Sequence, residues 1–264
     1  MEYAIVYGAK QFIGFELCKE LLNCGCTVVA IEHDNYLESY DAEKWLEIGR
    51  NANLLSLPMN ELGDEIDSEK VCFIPFIDFL DHPSEDEINN FLLKATELFS
   101  LEKISEHIII YPSRYYYSHS DQARRRFHDI LQMHNKNIKK MVEFYVPTLY
   151  GPWQPNSYLF QQLIENKQTK KYADDENDAI FAEDAVKTII SETKKSVNGQ
   201  KILLKNSKEN SWRNCIQFLN ESVPISNVKN EIDDPDIQIR TVQETYSYQE
   251  GLTMQIECYK RSKQ

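Results

Sequence analysis

Residues 1–35 read MEYAIVYGAKQFIGFELCKELLNCGCTVVAIEHDN, and their pattern decides the fold. Ala4–Tyr7 is an apolar run too short for a helix, and Gly8 closes it. Phe12, Ile13, Leu17, Leu21 and Leu22 then fall at helical spacing. Gly25 stops that pattern, and Thr27–Ile31 is a β-branched run of the kind buried on both faces of a parallel sheet. Strand, glycine turn, amphipathic helix and strand make a right-handed βαβ unit, the opening of a doubly wound sheet. In such sheets the turn before the first helix holds a dinucleotide pyrophosphate on the amides that begin the helix.

Outward from that unit, strands are predicted at 53–59, 71–77, 107–111 and 141–146, with the six in the parallel order 3-2-1-4-5-6. In an alternative register, residues 71–81 form the third strand. Helices are predicted at 38–50, 83–98, 120–134, 158–164 and 212–219, and a further strand at 200–204. Ser84 followed by Glu87 makes a capping box for the helix at 83–98. The tail from 221 to 264, with its acidic stretch Glu231–Asp236, carries no readable pattern. The expected class is α/β: a Rossmann-like doubly wound parallel sheet with a small C-terminal lobe. Residues 1–150 form the core, and 151–264 a substrate-type lobe with elements returning to it.

The 264 residues carry 29 basic and 42 acidic side chains, a net charge of −13 that disfavours nucleic acid as a partner. A strand beginning at residue 3 leaves no room for a signal peptide, and no apolar run approaches membrane-spanning length, so a cytoplasmic protein is expected. Cysteines stand at 18, 24, 26, 72, 215 and 258 without Cys-x-x-Cys spacing or a histidine beside them. Buried free thiols and no metal are therefore expected.

Gly8 to Gly14, GAKQFIG, resembles the Gly-x-x-Gly-x-x-Gly turn of the extended short-chain dehydrogenase/reductase family, the nucleotide-sugar epimerases and dehydratases. The resemblance implies NAD or NADP held by Gly8, Gln11, Phe12, Ile13 and Gly14, with Glu32 on the adenosine ribose. Gln11 stands where the family has its middle glycine, and its side chain occupies the space where a pyrophosphate approaches the backbone. A solvated acidic loop is the other reading of Glu32-His33-Asp34. The family's acid at the adenine is replaced by Leu57-Pro58-Met59-Asn60, unless the alternative register makes Asp78 that contact. Weak or absent cofactor binding is expected.

The same resemblance places the family's catalytic Ser/Thr at Ser113 and the tyrosine of its Val-Tyr-Gly at Tyr117. Its chemistry needs a Tyr-x-x-x-Lys pair one helical turn apart, the lysine lowering the phenol pKa so that tyrosinate can move a proton. Here Asp121 falls at the tyrosine and Arg125 at the lysine. Tyr40–Lys44 and Tyr259–Lys263 match the spacing at coincidental places. A rescue by Tyr115, Tyr116 or Tyr117 competes with plain aromatic packing. Arg124-Arg125-Arg126 with Lys136, Lys139 and Lys140, interrupted by acids and apolar residues, reads as a solvated or partner-facing helix face.

Further on, Pro147–Pro152 resembles the family's Asn-Val-Tyr-Gly-Pro, with Thr148 in place of the substrate-contacting Asn. Ile180–Val186 resembles its Phe-Ile-x-Val-Asp-Asp-Val, whose acid caps a helix. The expectation is an epimerase-like protein that has lost catalysis and serves a binding or regulatory role. The alternatives are an active NAD(P)-dependent epimerase, dehydratase or reductase, or a structural subunit. Expected partners are a nucleotide or nucleotide-sugar and a second copy or protein partner on the helices at 84–98 and 120–134.

Overall fold

The predicted strands come together in one parallel sheet in the computed structural model, which describes residues 1–32, 41–62, 70–79, 85–101, 104–117, 129, 138–167, 172–219 and 235–263. Strands β1 (Tyr3–Tyr7), β2 (Thr27–Ile31), β3 (Leu54–Leu57), β4 (Lys70–Ile74), β5 (Ile104–Pro112) and β6 (Lys140–Val146) lie in the expected order 3-2-1-4-5-6. Ile5 stands beside Val29 on one side and Cys72 on the other, which fixes the register at the sheet centre. β9 (Gln200–Asn206) and β10 (Ile237–Val242) extend the sheet beyond β6, and β7 (Thr148–Tyr150) pairs with β8 (Ala179–Phe181) in a separate two-stranded ribbon.

Alternation along β1 explains the two layers. Ala4 and Val6 face one apolar cluster with the helices Phe12–Asn23 and Ala182–Thr193, whereas Ile5 and Tyr7 face another with Ala95, Leu98 and Phe99 of the helix Glu85–Ser100. A third cluster gathers Tyr150, Phe160, Phe181, Trp212 and Leu252 around the ribbon. Gly25 ends the first helix at a φ of +77°, the left-handed conformation that glycine adopts without a Cβ clash.

Several boundaries differ from the sequence reading. β3 stops at Leu57 because Pro58 follows, and β4 stops at Ile74 because Pro75 leads into a 3-10 turn, Phe76–Phe79. The predicted helix at 38–50 is a helix at Asp41–Leu46, residues 33–40 lying outside the described set. From residue 235 the tail has a pattern that the sequence reading missed: β10 is followed by a helix, Tyr248–Arg261, opened by the capping box of Ser247 and Glu250. Gln255 of that helix, 1% exposed, bonds Gly151, Gln154 and Gln161 and so sutures the tail to the chain's middle. Asp184 is a further correction: its carboxylate accepts from the Thr245 amide at 3.0 Å and anchors the tail, not the start of its own helix.

Ser84 and the Glu87 side chain lie outside the described residues, as does nearly all of 120–134. All six cysteines are free, five buried and Cys24 exposed. Among the described residues no helix is long and apolar enough to cross a membrane.

Candidate functional site

The glycine turn leaves β1 at Gly8, whose φ of +68° turns the chain back over the sheet. The amides of Gly8 and Ala9 donate to the Ile31 carbonyl at 2.8 and 3.2 Å, tying the turn to β2. A Cβ at Gly14 would stand 2.0 Å from the Gly8 carbonyl oxygen, so the helix begins in direct contact with the turn. Packing alone therefore explains both glycines. Gln11, Phe12 and Ile13 are buried, and Gln11 makes no side-chain bond to the helix it precedes.

That helix is capped from elsewhere. Asp78, on the 3-10 turn after β4, accepts from the Ile13 amide at 3.0 Å and the Gly14 amide at 2.9 Å through Oδ2, and from Ile13 at 3.1 Å through Oδ1. A carboxylate suits this end of a helix, where unpaired amides and the peptide dipoles concentrate positive charge. The neighbouring Phe79 ring stacks on Tyr7 with centroids 5.5 Å apart. Its edge lies 2.5 Å from where a Cβ on Gly8 would be. On the far side Lys44 Nζ donates to the Lys10 and Gln11 carbonyls at 2.7 and 3.0 Å.

The register with its third strand at 53–59 holds: β3 is Leu54–Leu57 and residues 70–74 are β4, and Asp78, an adenine contact only in the alternative register, lies on the helix amides. Lys44, one half of a Tyr-x-x-x-Lys match, is a clamp on the turn. Glu32 follows β2 as read and is half-buried. Burial, then the charges of Glu97 and Glu32, push the Tyr7 phenol above its ordinary range.

The second place lies at the end of β5. Ser113 is 1% exposed; its amide donates to the Val146 carbonyl at 2.6 Å, and its hydroxyl donates to the Asp175 carboxylate. Thr148 Oγ1 accepts from the Asp175 amide at 2.7 Å and donates to the Asp175 carbonyl at 3.1 Å. Arg114 donates to the Ala173 carbonyl. The same short segment is held on its other side: Asp174 accepts from the Leu159 amide at 2.9 Å and from Trp212 Nε1 at 2.7 Å. Asp178 accepts from the amides of Ala179 and Asn206, each at 2.8 Å, and from the Ser211 hydroxyl. Burial outweighs those donors and lifts the Asp178 carboxyl to about 6.

Residues 173–178 thus form an acidic strap between the end of β5 and the third apolar cluster. Tyr115 belongs to the second cluster with Phe76 edge-on to it, and Tyr116 meets Tyr145 edge-on at 5.1 Å. Tyr117 ends the helix Arg114–Tyr117, but its side chain, together with Asp121 and Arg125, lies outside the described residues. The structure therefore sets Gly8, Gln11, Phe12, Ile13 and Gly14 in one turn bonded to the end of β2, which Glu32 follows, and Ser113 at the end of β5, and adds Asp78 and Asp175 to them. Asp175 gave no signal of its own: in Asp174–Asp178 it reads as solvated loop.

This sheet order, crossover pattern and small ribbon are the fold of the NAD-dependent nucleotide-sugar epimerases and dehydratases. UDP-glucuronic acid 4-epimerase from Bacillus cereus, solved with NAD, matches at a TM-score of 0.70 and 18% identity over 99% of this chain and 100% of that one. The dTDP-glucose 4,6-dehydratase of Bacillus anthracis, also with NAD, matches at 0.68 and 14% over 99% and 97%. UDP-glucose 4-epimerase from Thermotoga maritima, solved with UDP-glucose, matches at 0.61 and 13% over 99% and 100%. At such identities the likeness is one of fold. No family profile matches the sequence, and no curated protein is significantly similar to it.

Proposed function

We propose that this chain is an epimerase-like frame without turnover, serving a binding or regulatory role. The observation that carries the reading is Ser113, buried with its hydroxyl given to Asp175. A serine that orients a sugar hydroxyl must offer its own to the substrate, and geometry comes before pKa in such a role. Asp121 at the tyrosine position agrees, since an ionised carboxylate has no proton to donate at neutral pH. A nucleotide or nucleotide-sugar remains the ligand class the frame would hold.

Turnover is tested with UDP-, GDP- and dTDP-sugars and either nicotinamide cofactor, following absorbance of the reduced cofactor and chromatography of the sugars. No conversion is expected. The second reading, an active NAD-dependent enzyme, is favoured by the fold's likeness to enzymes solved with NAD. Conversion that is lost in Tyr115→Phe, Tyr116→Phe or Tyr117→Phe would establish that second reading. An acid/base group of this kind contributes about 10²–10⁴ in rate, so its removal is easily measured.

A further inference from the structure

We propose that Asp78 and Phe79 are built-in occupants of the dinucleotide place, and that NAD consequently does not fit this frame. The proposal accords with the reading above, because a frame without hydride chemistry needs no nicotinamide, but it stands on different residues. In doubly wound sheets the pyrophosphate lies on the amides that open the first helix, and the backbone of the preceding turn must be approachable. Here neither condition holds. The Ile13 and Gly14 amides already bond Asp78 at 2.9–3.1 Å, with Asp78 only 8% exposed. Each amide has one hydrogen, and a second anion in contact with the carboxylate would be repelled.

Asp78 is also tethered. Its own amide donates to the Pro75 carbonyl at 3.0 Å within a turn that begins where β4 ends beside β1. A ligand fixed to the chain competes at a high effective concentration against any free anion. Phe79 closes the other approach: its ring edge stands 2.5 Å from the Cβ position of Gly8, so the space that a glycine leaves open is filled from outside the turn. Lys44 secures the turn's Lys10 and Gln11 carbonyls from the opposite side. Changing Gln11 to glycine leaves all of this in place and is expected to restore nothing.

The test is calorimetric titration of NAD into the full chain, its Gln11→Gly variant and its Asp78→Ala/Phe79→Ala variant, each checked for cooperative thermal unfolding. The wild type and Gln11→Gly should show no saturable binding below about millimolar NAD, and the double variant should bind at least about tenfold more tightly. Micromolar binding to the wild type overturns the proposal, and so does a folded double variant that binds no better than the wild type. Should the double variant not fold, the wild-type amide resonances of Ile13 and Gly14 decide: unmoved by millimolar NAD they support the proposal, and a saturable shift overturns it. Failure here is separable from failure of the functional reading. NAD binding without sugar conversion would overturn only this proposal, whereas conversion would overturn that reading.

Discussion

At the glycine turn and at the end of β5 a carboxylate of the chain itself is present, yet the two contacts differ in what they satisfy. Asp78 bonds backbone amides, which the helix exposes whatever its side chains are. Asp175 bonds the Ser113 hydroxyl, a side-chain group that substitution can remove, and among the described residues its other oxygen accepts only from the exposed amide and side chain of Asn177. A buried amide left without an acceptor is expensive, whereas deleting both partners of a side-chain bond can be nearly neutral. The comparison predicts that the glycine turn depends on Asp78 for stability more than the end of β5 depends on Asp175.

The largest expected effect tests the foundation of the first place. Gly14→Ala puts a Cβ 2.0 Å from the Gly8 carbonyl oxygen, and backbone on both sides leaves nothing flexible to yield. A loss of at least about 4 kcal/mol in denaturant unfolding is expected, large enough to be diagnostic of a steric cause. A loss under about 1 kcal/mol would mean that the helix does not abut the turn.

Next comes the contrast itself. Asp78→Ala should lower stability by about 2–3 kcal/mol, because it strips a charged acceptor from two buried amides. Asp175→Ala should cost only about 1 kcal/mol, and adding Ser113→Ala to it should cost little more. Equal losses at Asp78 and Asp175 would erase the distinction between the two places.

The smallest effect sharpens the comparison through pH. His107, in β5, is pushed down to about 4 by burial, from an ordinary 6.5. The folded chain prefers its neutral ring, so that contribution is complete above 6.5 and fades as pH falls towards 4. Asp178, in the strap, is held up at about 6 from an ordinary 3.8, so its contribution is complete below 3.8 and fades as pH rises towards 6. Thermal unfolding across pH 4 to 6.5 should therefore show opposite changes in two variants. His107→Leu should lose part of the wild type's acid sensitivity, and Asp178→Asn should lose part of its stabilisation by acid. Parallel shifts in both variants would show that one of the two environments is misassigned.

Much of the fold is legible because its signals are local. The βαβ opening is spelled by periodicity and by Gly8 and Gly25, and the parallel order follows from strands separated by helices. The tail is the part that escapes. Ile237–Val242 lies at the sheet's edge with a mixed burial pattern, and so lacks the continuous apolar run of β1 or β2. Its helix announces itself only through Ser247 and Glu250, a capping box readable in principle.

The candidate site divides in the same way. By itself the sequence determined the glycine turn and the position of Ser113 at the end of β5, because each is a matter of which residue stands at which spacing. Only the tertiary structure decided what those groups touch. Asp78 reaches amides 65 and 64 residues away, and Asp175 a hydroxyl 62 residues away. No local preference encodes such pairs. They exist because the sheet sets β4 beside β1, and because the strap, anchored through Trp212 and Leu159, is carried back to the end of β5.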